Sequence, residues 1–327
     1  MGAKIAVFGS VNMDLVARVE RFPRPGETIR GLSFSRIPGG KGANQAVAAA
    51  KLGGEVSFYG LVGDDGIATD LSHNLRDHGV DISGVQTRRG PSGLALIQVN
   101  EGGENQIVIV SGANGKVDRE YVDSHIAEIR EAEVLLLQLE VPAETIAYLL
   151  RRLEETAAEK PEVILDPAPV GDIWKFPLSS IDALIPNEGE LRSLLSDHNS
   201  GRTVDNLLER EVTRVIVTRG KDGCTHYGAD GRSAFSAFSV QPVDTTAAGD
   251  AFAGGLAVAL GEGKTIEESI PFASAAGAIS TTREGAQPSL PGRDEVLEFL
   301  KGETNYEVST TFFTGETDEQ KKQKQDL

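Results

Sequence analysis

The residues with the plainest chemical potential lie between 244 and 250, Asp-Thr-Thr-Ala-Ala-Gly-Asp, followed by Ala251-Phe252-Ala253-Gly254-Gly255. The segment reads as a loop turning into a helix of small residues. A helix start offers unpaired N–H groups and partial positive charge, which attract anions. Ala247, Ala248 and Gly249 let backbone approach such an anion closely. A carboxylate in that anion hole is misplaced if the site only holds phosphate. It makes sense if Asp250 faces a hydroxyl and takes its proton while the N–H groups stabilise a transferring phosphoryl group. Alone, an Asp near a helix start is better explained by the helix dipole.

Three other clusters bear on the same chemistry. Gly39-Gly40-Lys41-Gly42-Ala43-Asn44 is rich in glycine, but Lys41 is followed by Gly42, so the phosphate-binding pattern GxxxxGK[ST] is absent. What remains is a turn feeding a helix, where a small polyol could lie against backbone and Asn44 could both donate and accept. Asn12 and Asp14 follow the first apolar run, where an amide and a carboxylate can hold two sugar hydroxyls or serve as ordinary turn residues. Asn187-Glu188-Gly189-Glu190 also follows an apolar run. Carboxylates at such a junction can hold Mg²⁺ through its waters, and they are common in a first helical turn.

Elements that could position these groups follow a repeating pattern. Lys4–Gly9, Val56–Leu61, Val134–Leu139, Val163–Leu165, Asp182–Ile185 and Val215–Thr218 read as buried strands. Helical patterns cover 44–52, 68–78, 120–130, 143–155, 247–260, 265–281 and 294–300. Alternating strands and helices predict a parallel sheet covered by helices. Leu94–Asn100 and Gln106–Val110, joined across Gly102-Gly103, read instead as a hairpin, and 28–37 as an extended polar stretch. They suggest a small antiparallel flap inserted in pieces. The polar segment from 302 to 327 is expected to be disordered, Phe312 and Phe313 notwithstanding.

Bulk composition narrows the function classes. The chain has 327 residues, 39% hydrophobic and 25% charged, with a formal net charge of −17. That charge repels nucleic acid and anionic membranes, and is compatible with a salt-rich cytoplasm. No apolar run approaches the roughly 20 residues of a membrane helix, and Met1–Val7 lacks a signal-peptide layout, so a cytoplasmic location is expected. Cys224 is the single cysteine and reads as a small strand residue. His73, His78, His125, His198 and His226 show no metal-ligand spacing, and neither a G-x-S-x-G motif nor a dinucleotide fingerprint is present.

Taken together, the motifs GSVNMD (9–14), FPRPGET (22–28), GGKGANQAVAAAKLG (39–53), LVGDDG (61–66), SGAN (111–114), QLEVP (138–142), DPAP (166–169), IPNEGE (185–190), TRGKDG (218–223), VDTTAAGDAFAGG (243–255) and TREGAQPSLP (282–291) resemble the ribokinase-like (PfkB) carbohydrate kinase family. They fall in family order over residues 4–300. The resemblance implies a three-layer α/β/α fold with a mostly parallel central sheet. The kinase domain would be 1–302, with a β-sheet lid from about 12–37 and 94–110 inserted in it, and 303–327 a polar tail. It implies that Asp250 is the general base and that Ala247, Ala248 and Gly249 form the anion hole. Asn12, Asp14, Gly40, Lys41, Gly42, Ala43, Asn44 and Glu140 would contact the sugar. Asn187, Thr218, Arg219, Gly220, Lys221, Asp222 and Gly223 would face ATP, with Gly249, Asp250 and Ser274 nearby. Asn187 and Glu190 would organise Mg²⁺ through water. An activating K⁺ would sit at Asp244, Thr246, Ser280, Arg283, Gly285 and Ser289. The lids of two chains would pair into a homodimer.

The expected activity is transfer of the γ-phosphoryl of ATP to the 5-hydroxyl of D-ribose. The alternatives are a related kinase of 2-deoxyribose, ribose 1-phosphate, fructose, 2-keto-3-deoxygluconate or a nucleoside, and a catalytically silent sugar-binding protein on the same scaffold.

Overall fold

The computed structural model describes residues 2–155, 160–196, 201–303, 306 and 308–312. Its strands are β1 (Lys4–Phe8), β2 (Asn12–Val19), β3 (Gly31–Gly39), β4 (Glu55–Gly63), β5 (Val85–Arg88), β6 (Gly93–Val99), β7 (Asn105–Val110), β8 (Val134–Leu137), β9 (Glu162–Leu165), β10 (Ala183–Leu184), β11 (Arg214–Thr218), β12 (Cys224–Gly228), β13 (Gly231–Phe235) and β14 (Val308–Phe312). Its helices are α1 (Lys41–Lys51), α2 (Gly66–Asp77), α3 (Arg119–Arg130), α4 (Ala143–Glu154), α5 (Glu188–Leu195), α6 (Val204–Glu209), α7 (Ala248–Gly261), α8 (Ile266–Ser280) and α9 (Arg293–Gly302). The large sheet runs β14-β13-β12-β11-β10-β9-β8-β1-β4-β5, parallel from β11 to β5 and antiparallel from β11 to β14. A second sheet, β3-β2-β6-β7, forms the lid.

The three layers follow from alternation along the central strands. Ile5 and Val7 of β1, with Val134 and Leu136 of β8, point to the side covered by α1, α2, α7, α8 and α9. Ala6 and Phe8, with Leu135 and Leu137, point to the side covered by α3, α4, α5 and α6. Both faces are apolar, as a doubly covered parallel sheet requires. On the first side, small residues let helices approach closely. A Cβ on Gly254 of α7 would meet the Ala48 Cβ at 2.7 Å and the Ala49 nitrogen at 2.8 Å in α1. That proximity lets side chains of α1 reach the first turn of α7.

In the lid, β2 runs parallel to β6 and antiparallel to β3, and β6 pairs antiparallel with β7. The lid continues into the main domain without an intervening loop: β3 ends at Gly39, and α1 begins at Lys41. Gly40 between them has φ 89°, and a Cβ there would meet the Asn12 nitrogen at 2.8 Å, so only glycine fits.

One expectation is corrected. Part of the tail read as disordered is a strand: β14 pairs antiparallel with β13, from Gly231↔Phe312 to Phe235↔Val308. The reason is non-local. The open edge of β13 supplies the backbone partners that the polar composition of the tail does not predict. Residues 313–327 lie outside the described residues. Among the described residues, no helix is long and apolar enough to cross a membrane.

Candidate active site

Helix α7 opens at Ala248, and its N-cap Ala247 holds a left-handed φ of 60° with no side-chain cap. A non-glycine residue there is strained, and such strain gathers at working sites. Space around Gly249 is open. The start of a 14-residue helix thus faces a cavity with its N–H groups and its positive end.

Asp250 is buried just behind that opening, 5% exposed. Asn44 Nδ2 donates to one carboxylate oxygen at 2.9 Å and Gln45 Nε2 to the other at 3.1 Å. Gln45 Nε2 also donates to Asp166 at 2.9 Å, and Gln138 Nε2 donates to Gln45 Oε1 at 2.6 Å. Gln287 Nε2 donates to Asn44 Oδ1 at 3.2 Å. The Asp250 carboxylate is therefore held by two amides, each of which also accepts from a further glutamine. Lys41 Nζ lies 3.4 Å from the Asp166 carboxylate.

One ammonium group serves several carboxylates. Burial pulls Lys41 down, but Asp166, Asp250, Glu140 and Glu190 outweigh it and hold the group cationic, above the usual lysine value. Burial pushes Asp166 up to about 7, against Lys41, with Asp250 and Glu190 adding to the rise. Asp250 is also raised by burial, opposed by Lys41 and by the hydrogen bonds from Asn44 and Gln45.

Toward the lid, Asn12 is buried, and its Oδ1 accepts from Asn114 Nδ2 at 2.7 Å. A Cβ on Gly93 would occupy that contact. Burial pushes Asp14 up to about 7, aided by the nearby charges of Glu140 and Asp250. Glu140 accepts from the Ser10 hydroxyl and from the Lys41 backbone N–H. Gly40 packs against Asn12, as described. Gly42 and Ala43 direct their side-chain positions inward: a Cβ on Gly42 would strike Ser10 backbone at 2.6 Å, and Ala43 is wholly buried in the core. They seat α1 against the end of β1.

Two cavities meet at Thr218, Thr245, Gly249 and Phe252. The smaller, about 230 Å³, is polar and also takes in Lys41, Asp166, Asn187, Glu190 and Asp250. The larger, about 560 Å³, is largely apolar and runs over Gly220, Lys221, Gly223, Cys224, Phe238, Val240, Ser274 and Gly277. Arg219 and Asp222 do not line it. Arg219 lines a separate hollow of about 270 Å³ with Leu191, Leu195 and Tyr227.

The residues expected around ions divide into two places. Asn187 Oδ1 accepts from the Glu190 N–H at 2.9 Å, and Glu190 Oε2 from the Asn187 N–H at 2.8 Å, a reciprocal cap on α5. Each side chain keeps polar atoms for the small cavity, so water-mediated Mg²⁺ fits. Asp244 accepts from the Thr246 N–H and hydroxyl through one oxygen, and from the Gly285 N–H through the other. It so joins the two loops expected around K⁺. Ser280 and Ser289 hydroxyls donate to the Gly277 and Ala286 carbonyls, which leaves their oxygen lone pairs, and the Arg283 side chain pairs with Glu295. Of the three, only Arg283 is limited to its backbone oxygen in binding a cation.

Gln45, Gln138, Asn114, Asp166 and Gln287 join the site without having been singled out. Gln45 carried a signal: Lys41, Asn44 and Gln45 sit at i, i+3 and i+4, one face of an otherwise Ala-rich helix. Asp166 carried another, standing at the carboxyl end of a parallel strand.

The chain matches the pfkB family of carbohydrate kinases over residues 3–293. It is 38% identical to a ribokinase of Haemophilus influenzae, over 92% of this chain and 99% of that one. The crystal structure of a Thermotoga maritima ribokinase superposes with a TM-score of 0.84 at 39% identity, covering 92% of this chain and 100% of that one. An Arabidopsis thaliana ribokinase complexed with ribose and ATP gives 0.82 at 34% identity, covering 92% and 99%. Match length, shared fold and site geometry agree, and the chain belongs to the pfkB carbohydrate kinase family.

Proposed function

We propose that the protein transfers the γ-phosphoryl group of ATP to the 5-hydroxyl of D-ribose, with Asp250 as general base. The observation that carries this reading is the Asp250 carboxylate itself. It is gripped by Asn44 and Gln45 where a polar cavity opens onto a larger apolar one beside an uncapped helix start. The ribokinases that resemble the chain, one of them bound to ribose and ATP, favour ribose as acceptor.

A sugar hydroxyl is a weak nucleophile while protonated. As its oxygen bonds to the γ-phosphorus, its proton passes to Asp250, the bond to the bridging oxygen breaks, and ADP leaves. Burial raises the Asp250 pKa, and Lys41 with the two amide donors opposes that rise, favouring the carboxylate form that accepts the proton. The N–H groups at the start of α7 stabilise charge on the phosphoryl oxygens, and Lys41 lies in the same cavity. Asn12 and Asp14 hold the vicinal hydroxyls, and the lid excludes water. When bound, Mg²⁺ would offset the triphosphate charge, held through water by Asn187 and Glu190. K⁺ would rest on backbone oxygens around Asp244 and order the anion-hole loop.

The lids would pair in a homodimer. Leu32, Phe34, Leu96, Ile107, Val108 and Ile109 expose 44–63% of their surface there, an apolar area large for a free lid. A cytoplasmic location goes with this reading.

The test is ADP release from ATP-Mg²⁺ and K⁺ across ribose, 2-deoxyribose, fructose, 2-keto-3-deoxygluconate, ribose 1-phosphate and adenosine. Ribose is expected to give the highest kcat/KM. A preference for another acceptor overturns the substrate, and silence across the panel overturns the kinase reading.

A further inference from the structure

The larger cavity has a wall that is backed from behind by chain outside the family match, which ends at residue 293. After β13 the chain runs along the cavity, and Ala237, Phe238, Ser239, Val240 and Pro242 line it. This stretch would be the loop following an edge strand if β13 ended the sheet. It does not: β14 covers that edge, with Val308 opposite Phe235, two residues before Ala237. Two residues upstream of Val308, Tyr306 stacks on Phe238, with ring centroids 4.5 Å apart and planes 22° apart. Phe299 of α9 meets Phe238 edge-on at 5.3 Å. Phe238 is thus clamped between two rings, both contributed by the chain after residue 293.

Tyr306 also reaches the opposite side of the same wall. Its hydroxyl is buried and approaches Ser274 without closing a well-formed hydrogen bond. Ser274 lines the cavity, and so does Cys224, whose thiol faces Ser274. One tyrosine therefore touches or adjoins three residues that bound the cavity, while lining none of it itself.

We propose that Tyr306, two residues before β14, is a positioning residue for nucleotide binding: it fixes Phe238 and Ser274 as the walls against which the nucleobase lies. This rests on the reading of the larger cavity as the ATP site. The lining is apolar enough to take a flat aromatic base, and it meets the polar cavity at Gly249, beside the phosphoryl-transfer site. An offset-stacked aromatic pair contributes about 0.5–1.5 kcal/mol beyond its area. If that orders Phe238 in the free protein, its loss is felt as weaker nucleotide binding, since the ligand must then order the wall itself.

The test compares the full chain with Tyr306→Ala, Tyr306→Phe and a chain ending at residue 302. KM for ATP and for ribose, kcat, and ADP affinity by calorimetry are measured on each. Tyr306→Ala is expected to raise KM for ATP and weaken ADP binding roughly three- to tenfold. KM for ribose and kcat at saturating ATP should stay within about twofold. Tyr306→Phe keeps the ring and should bind nearly as the parent does. The shortened chain should show the Tyr306→Ala effect or a larger one; if it fails to fold, the point variants decide. Unchanged nucleotide affinity in Tyr306→Ala overturns the proposal, as does a parallel rise in both KM values, which marks general loosening. If the unaltered chain binds no adenine nucleotide, the reading of the cavity fails instead.

Discussion

The two cavities that meet at Gly249 solve opposite problems. The small one concentrates charge, with Lys41 set among Asp166, Asp250 and Glu190. The large one holds a single cationic side chain, Lys221, and otherwise offers backbone, small residues and the Phe238 ring. Charge tuned by burial suits proton transfer, because a carboxylate needs its pKa set by its surroundings. A flat apolar slot suits recognition of a leaving group that undergoes no chemistry at its far end. A change in the first cavity should therefore appear in kcat, and one in the second in KM for ATP.

The strongest challenge to that division is Asp250→Asn. The amide keeps the shape and loses the base, so kcat should fall by about 100- to 10,000-fold with KM for ATP little changed. Steady-state kinetics decides it, and near-normal turnover would remove Asp250 as base. Next is Lys41→Met, which leaves the carboxylates without their shared cation. We expect a loss of about 1–3 kcal/mol at pH 8, measured by urea unfolding. The loss should shrink at pH 5, where Asp166, with a native pKa of about 7, carries its proton and needs no partner. An equal loss at both pH values would refute the shared-cation account.

In the second cavity, Phe238→Ala should raise KM for ATP roughly three- to tenfold and leave kcat nearly intact. A drop confined to kcat would erase the contrast between the cavities. The smallest expected effect concerns stability. Asp14 has a native pKa of about 7 against a usual 3.8. The native state holds that proton more tightly, so this group's contribution to stability falls as pH climbs from about 4 to about 7, then levels off. Asp14→Asn removes the penalty. It should raise Tm at pH 8 by on the order of 2 °C or more, with a smaller gain at pH 5, while weakening ribose binding. A Tm gain independent of pH would show that the Asp14 charge is not the cause.

The same contrast explains how far the sequence could be read. Segments whose geometry is local were legible: DTTAAGD turns into α7, and GGKGAN into α1, within a few positions of where the sequence places them. So was the alternation that makes the sheet parallel and doubly covered. What escaped reading depends on distant chain. Gln138 and Gln287 join Asp250 only because β8 and the segment before α9 converge on α1. Gly42 and Ala43 stand in the glycine-rich stretch with their side-chain positions turned inward, a matter of helix orientation that a run of small residues does not reveal. β14 escaped because its partner, β13, lies about 75 residues earlier, and composition says nothing of an open edge.

Gly40, finally, makes the lid and the helix beside it one continuous piece of chain. The lid strand β3 ends at Gly39, and the helix that carries Asn44 and Gln45, the two amide donors to Asp250, begins at Lys41. The lid and the two amides are thus opposite arms of one lever, with a single glycine as its fulcrum. A shift of either arm would have one residue in which to be absorbed before it reached the other.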